Sequence, residues 1–291
     1  MDFTTLVLFQ VLNGLVWGLI IGLIALGLAL IFGIMEVINV AHGSLYMLGA
    51  VIGWYVFGAT ESFALAVLLA PAAVGALSMA MERVVLRPIE NEKVLTIIAT
   101  TGVMLVIQHS VLATFGGAVQ RVPSPVPGAV RLLGIHYPVY RLAVAFISVA
   151  AIAALWLFLT RTRYGLWLRA VRQDGKMATA LGIPVGRVYM LAVGLGGLLA
   201  GLGGVLAAPI VVVQYQMGFD ILATVFIVVV IGGFGSLFGA AATAVLLGVL
   251  EGLITVVATP TWARIASLAV MGAILLARPD GIFRRRAIAR L

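Results

Sequence analysis

Cysteine is absent from this 291-residue sequence, and lysine occurs only at Lys93 and Lys176. Without a thiol there is no disulfide framework, no Cys-ligated zinc or iron–sulfur cluster and no thiol catalysis. Neither lysine follows a Gly-x-x-x-x-Gly run, so the chain binds no nucleotide by a Walker-type phosphate loop. There is no His-Glu-x-x-His, and Gly235-Ser236-Leu-Phe-Gly239 does not have the spacing of a nucleophile elbow. Charge is scarce too: 10% of residues are charged and 63% are hydrophobic. Soluble domains average roughly a quarter charged and about half apolar, so a single soluble core is excluded. Disorder is excluded because a disordered chain is poor in apolar residues. With a mean hydropathy of +1.22, what remains is an all-α polytopic membrane protein, read as one transmembrane domain over residues 1–291.

A span needs roughly 20 apolar residues. Charge-free runs cover residues 3–35, 37–60, 62–81, 94–120, 142–160, 188–219 and 221–250, and a further run, 252–277, holds a single charge, Arg264. The first, at about 1.5 Å per residue, approaches 50 Å and is either strongly tilted or partly non-crossing. Splitting the longer runs predicts about nine transmembrane helices, within a range of eight to ten, the last four near 188–209, 219–234, 238–257 and 264–278.

The net charge of +8 gains meaning from its distribution. Residues 1–82 hold no Lys or Arg, whereas basic residues cluster at 83–93, 161–187 and 278–290. The excess of Lys and Arg on cytoplasmic loops predicts an external N-terminus and a cytoplasmic C-terminus in a bacterial plasma (inner) membrane. The Pro-rich stretch 120–140 then reads as an external loop. The basic charge is topological, suited to anionic lipid headgroups, and not to nucleic acid.

Three segments stand out. Gly33-Ile-Met-Glu-Val-Ile-Asn-Val-Ala-His-Gly-Ser44 sets Asn39, His42, Gly43 and Ser44 in apolar surroundings, and is either a turn between two spans or a broken helix lining a pathway. Gly233, Gly235 and Ser236 interrupt a second apolar region, in the other half of the chain, as a turn, a re-entrant segment or plain tight packing. Interruptions in corresponding halves point to a transport site, which makes these seven residues candidates for a substrate pathway. A lone His here is no metal ligand, since no second His, Asp or Glu lies at ligand spacing. The third segment is 161–187, in which Leu168, Val171, Met177 and Leu181 interleave with Arg169, Arg172, Asp174 and Lys176. It predicts one short amphipathic helix ending at Gly182 and Pro184, which either docks on a soluble partner or lies on headgroups. Elsewhere Gly14, Gly18 and Gly22, Gly197 with Gly201, and Gly248 with Gly252 make small helix faces for close packing. Glu251, inside an apolar run, requires a partner, and Asp220 is placed at the external interface.

Four stretches carry a resemblance: Ile38-Asn-Val-Ala-His-Gly-Ser-Leu-Tyr-Met-Leu-Gly49, Glu82-Arg-Val-Val-Leu-Arg-Pro88, Met177-Ala-Thr-Ala-Leu-Gly-Ile183 and Gly232-Gly-Phe-Gly-Ser-Leu-Phe-Gly-Ala240. Together they resemble the integral-membrane permeases of bacterial branched-chain amino acid ABC importers, of the LivH type, along nearly the whole chain. Val40 departs from the aromatic residue frequent there. The resemblance implies an ABC importer permease fold, non-catalytic, paired with a second homologous permease. It implies two cytoplasmic ATPase subunits, which bind ATP and Mg²⁺, and an extracytoplasmic substrate-binding protein; this chain itself holds no cofactor. It also implies that Arg169, Ala170, Arg172, Asp174, Lys176, Ala178 and Gly182 belong to a coupling helix that fits an ATPase groove. Cargo is then a branched-chain or other neutral amino acid, with urea or short amides as alternatives within the family. An ion-coupled transporter would show more intramembrane acids or histidines than this chain has.

Overall fold

The computed structural model describes residues 3–90, 92–132 and 134–278; Arg284, Arg285, Arg286 and Arg290 of the basic tail lie outside them. Eleven α-helices and one β-hairpin follow in order: α1 (Phe3–Met35), α2 (His42–Thr60), α3 (Phe63–Met81), α4 (Lys93–Phe115), β1 (Ala129–Leu132), β2 (Ile135–Pro138), α5 (Val139–Arg161), α6 (Arg163–Gln173), α7 (Gly175–Ala180), α8 (Val185–Ala207), α9 (Met217–Gly232), α10 (Leu237–Ile254) and α11 (Pro260–Ala277). A π-helical turn, Glu82–Leu86, and a 3-10 turn, Arg87–Ile89, prolong α3. Among the described residues, eight helices are long and apolar enough to cross a membrane, and α9 is a shorter apolar one. The chain is a multi-span, predominantly helical membrane protein, with nine apolar helices among the described residues.

Ends of helices collect at two faces. One carries the segments 82–93 and 161–187 and is called the basic face; the other carries the start of α1, the hairpin and the α10–α11 connection. The hairpin lies within the Pro-rich loop, pairing Val130 with Tyr137 and Arg131 with His136. Tyr137 is fully buried against Phe9 at 5.7 Å between rings, and that burial pushes its phenol pKa up. Sequence gave this loop no strands because four-residue pairings are too short for a periodic signal.

α1 is apolar all round and buried over most of its length, as a helix at the centre of a bundle must be. Backbones come close where glycines face each other: Gly14 meets Gly248, Gly18 meets Ala244, and Gly27 meets Gly196. The small faces expected at Gly197 and Gly201 pack on Ser78 and Val74 of α3.

The two halves repeat one plan. A long helix (α1 or α8) is followed by a non-helical return (36–41 or 208–216), then by a helix (α2 or α9) and two more (α3, α4 or α10, α11). α1 packs on α10, and α8 packs on α3. Ser62 caps α3 by accepting from Leu65 N–H at 3.4 Å, and Ser236 caps α10 by accepting from Gly239 N–H at 3.1 Å. Each serine follows a left-handed residue, Glu61 at φ 56° and Gly235 at φ 75°.

The returns start their helices well inside the bundle. His42, first in α2, bonds the carbonyl of Ile24, which lies eleven residues, or about 16 Å, before the end of α1. Gly43 abuts Gly218 at the start of α9, so both N-termini meet at that depth. The broken segment of the second half therefore lies at 208–216, and 233–236 is a turn joining α9 to α10 at the basic face. Asp220, in the first turn of α9, accordingly sits at depth instead of at an interface.

Candidate functional site

The 36–41 return is held by polar groups that replace the missing helical bonds. Asn39 Oδ1 accepts from Ala41 N–H at 3.1 Å, and Thr100 Oγ1 of α4 accepts from Val40 N–H at 3.2 Å. Ser44 Oγ donates to the Met104 carbonyl at 3.5 Å. Asn39 and His42 are fully buried, Gly43 and Ser44 nearly so. Asn39 Nδ2 and His42 Nδ1 have no hydrogen-bond partner among the described residues. The four residues thus form the junction of α1, α2, α4 and α9, enclosed within this chain.

Gly233, Gly235 and Ser236 lie elsewhere. Gly235 approaches Gly33 near the basic-face end of α1, about 14 Å along that helix from Ile24. The structure therefore does not bring the two candidate groups together. It brings Gly233, Gly235 and Ser236 beside Arg172 instead, around a cavity of about 520 Å³. A Cβ on Gly235 would lie 3.3 Å from Arg172 Nη2, so the guanidinium rests on this turn.

This cavity adjoins a groove with α1 as floor and α5 and α10 as walls. At the basic face, about 320 Å³ is lined by Ala29, Gly33, Trp156, Arg169, Arg172 and Gly235. Two overlapping apolar cavities of about 500 and 510 Å³ continue it along Leu26, Leu19, Val149, Ile152, Phe238 and Ala241. At the opposite face a separate cavity of about 300 Å³ is lined by Gln10, Asn13, Trp17, Arg141, Glu251 and Arg264. The groove is thus basic at one end and apolar beyond it, while the mixed-charge cavity is separate, shares no lining residue with the groove and meets the other side of α1. Glu251 finds its partner in Ser267, whose Oγ lies 3.2 Å from Oε1.

The basic segment forms two helices where one was expected. Asp174 ends α6 in extended conformation, and its Oδ1 accepts from Met177 N–H at 3.0 Å, capping α7. α7 ends at Gly182, φ 80°, with Gly182 N–H donating to Thr179 and Ile183 N–H to Ala178. That is the glycine-closed C-terminus the sequence pointed to. Arg169 Nη1 donates to the Leu159 carbonyl at the end of α5, Ala170 takes the Asp174 N–H at 3.1 Å, and Ala178 is buried. Arg172, Asp174 and Lys176 are exposed.

Beside it, Glu82 has a fully buried side chain and receives Arg87 through two bonds, Nε to Oε1 at 3.2 Å and Nη2 to Oε2 at 3.0 Å. Arg87 Nη2 also donates to the Gly186 carbonyl at 2.8 Å, tying α3 to the start of α8. Arg87→Met leaves Glu82 buried and unpaired, so a loss of roughly 3–5 kcal/mol is expected, with Glu82→Gln/Arg87→Met losing much less. Thermal unfolding of the detergent-purified permease checks both; equal losses in the two variants would refute the pairing argument.

Sequence reasoning missed the convergence of Arg141 with Glu251. One opens α5 and the other closes α10, so their meeting follows only from both ends reaching one face.

Comparison with known proteins points one way. A family model described as branched-chain amino acid transport system / permease component matches residues 10–278. LivH of Escherichia coli K12, a high-affinity branched-chain amino acid transport system permease protein, is 30% identical, covering 97% of this chain and 97% of its own. BraD of Pseudomonas aeruginosa, of the same description, is 28% identical over 97% of each chain. A probable LivH of Methanocaldococcus jannaschii is 26% identical over 94% of this chain and 91% of its own. No solved structure matches.

Proposed function

The chain belongs to the branched-chain amino acid transport system permease family, and from that premise we propose that it is one of two permeases in a binding-protein-dependent ABC importer of branched-chain amino acids. Its end-to-end likeness to LivH and BraD carries the reading. In it the basic face is cytoplasmic, because Lys and Arg mark that side, and the N-terminus is external. The second permease closes the groove between α5 and α10 from outside. Two ATPase subunits bind ATP and Mg²⁺ and dock on α6 and α7, and a soluble receptor delivers cargo to the opposite face. ATP and the loaded receptor bias a bistable interface between outward and inward openings. Arg172, resting on the Gly233–Ser236 turn, links the docking helices to the foot of α10.

Reconstituted with its partners, the complex is expected to take up leucine, isoleucine and valine only with ATP and receptor, and to stop with vanadate. Urea and acetamide serve as the contrasting cargo. Receptor-dependent urea uptake without leucine uptake would overturn the cargo, and vanadate-resistant uptake abolished by a protonophore would overturn the class.

A further inference from the structure

The mixed-charge cavity at the face opposite the basic one is built from four helices. Arg141 stands in the first turn of α5, Glu251 in the last turn of α10 and Arg264 in the second turn of α11, while Gln10 and Asn13 project from α1. The charged groups are positioned but not consumed. Arg141 Nη1 donates to Asn13 Oδ1 at 2.5 Å, and Asn13 Nδ2 donates to Gln10 Oε1 at 3.3 Å. Arg141 also acts on the Tyr137 hydroxyl, but a guanidinium has five N–H donors, so part of its capacity stays open. Glu251 accepts one bond through Oε1, from Ser267. Arg264 lies close enough to act electrostatically on Glu251 without a contact ion pair, and Arg141 adds a second positive charge to the cavity; the contact ion pairs among the described residues are Arg87 with Glu82 and Lys93 with Glu36.

A ligand bearing both charges a short distance apart complements such an arrangement, and a neutral one does not. We infer that this crevice reads the head group of an α-amino acid, Arg141 taking the carboxylate and Glu251 the ammonium. The inference rests on the amino acid reading above and adds a place where the permease itself recognises its cargo. The crevice volume of about 300 Å³ is at the lower bound for small-molecule pockets. Trp17, Ile210 and Val211 give it an apolar side for a branched side chain. Urea and acetamide offer neither charge.

The test uses the assembled importer in proteoliposomes with saturating leucine-loaded receptor, measuring leucine transported per ATP hydrolysed. Arg141→Gln and Glu251→Gln are each expected to lower that ratio roughly tenfold or more, as loss of a hydrogen bond to a charged group does. Arg141→Lys, which keeps the charge, is expected to recover most of it, whereas Asn13→Ala, which removes the contact of Arg141 with α1 and keeps the guanidinium, is expected to leave the ratio within twofold of wild type; a tenfold loss in Asn13→Ala would assign Arg141 a structural role and overturn the inference. Ratios within twofold of wild type for both glutamine variants would overturn the crevice and leave the importer reading standing. If the wild-type complex itself transports urea and not leucine, the cargo reading fails, and the inference with it.

Discussion

Replacing Met177 and Leu181 by aspartate is expected to strip the ATPase subunits from the permease while leaving the permease folded. Both residues belong to α7 and its closing turn on the basic face, and their exposures of 58% and 74% are large for apolar side chains amid so many charges. A Met or Leu side chain moved from water into an apolar groove contributes about 1.5–3 kcal/mol. Losing two such contacts removes roughly 3–6 kcal/mol, a fall in affinity of about two to four orders of magnitude. Within the free permease the same changes touch nothing in the core, so its thermal stability should hold. Copurification of tagged permease with its ATPases, followed by titration of the ATPase, gives the readout; wild-type stoichiometry in the double variant would sink the docking assignment. Charge reversal at Arg169 is a poorer probe, because its guanidinium holds the carbonyl of Leu159 and ties α6 to α5. Reversal at Arg172 is informative in another way, since Arg172 contacts the Gly235 turn and its loss should uncouple transport from hydrolysis.

Hydropathy and glycine spacing made most of the helical plan readable, because lipid requires long apolar helices and close helix pairs require small residues. They failed where chain connectivity decides. Residues 208–216 were legible as a connection between spans near 188–209 and 219–234, but Ile210, Val211, Val212 and Val213 keep the run apolar, so nothing marked it as a return into the bundle, and the more obvious Gly233–Ser236 interruption was taken as the broken segment instead. The 36–41 segment was legible as an interruption from Asn39, His42 and Ser44, but not as a closed junction, since that depends on Thr100 of α4 and Gly218 of α9. Asp174 was counted as one charge of an amphipathic helix; its capping of α7 requires the extended conformation that no periodicity reports. The contact of Gly235 with Arg172, and the placing of Arg141 and Glu251 around one crevice, join residues from distant parts of the chain. A single sequence carries no signal for such contacts beyond the topology that produces them.

The glycines of α1 form one small face in sequence, yet the structure predicts that they behave differently. A Cβ at Gly14 would collide with the carbonyl of Gly248, and one at Gly248 with the backbone of Gly14 and Gly18. At Gly22 the nearest atom is the Ala244 Cβ at 3.6 Å, an ordinary contact. Alanine is worth about 1 kcal/mol over glycine in a helix interior, so Gly22→Ala should be neutral or stabilising. Gly14→Ala and Gly248→Ala gain the same propensity but force two backbones apart, and no rotamer change relieves that clash. Overpacking of this kind costs about 1–3 kcal/mol or more, lowering the melting temperature by roughly 2–5 °C in a chain of this size. Because α1 is the floor and α10 a wall of the groove, the displaced helix also widens the groove, so if cargo passes along it as proposed, uptake should fall further than stability alone dictates. Melting curves and uptake for the three variants decide it: Gly22→Ala as damaging as Gly14→Ala would show that the face packs uniformly and that the specific Gly14 and Gly248 contact is not what holds α10 to α1.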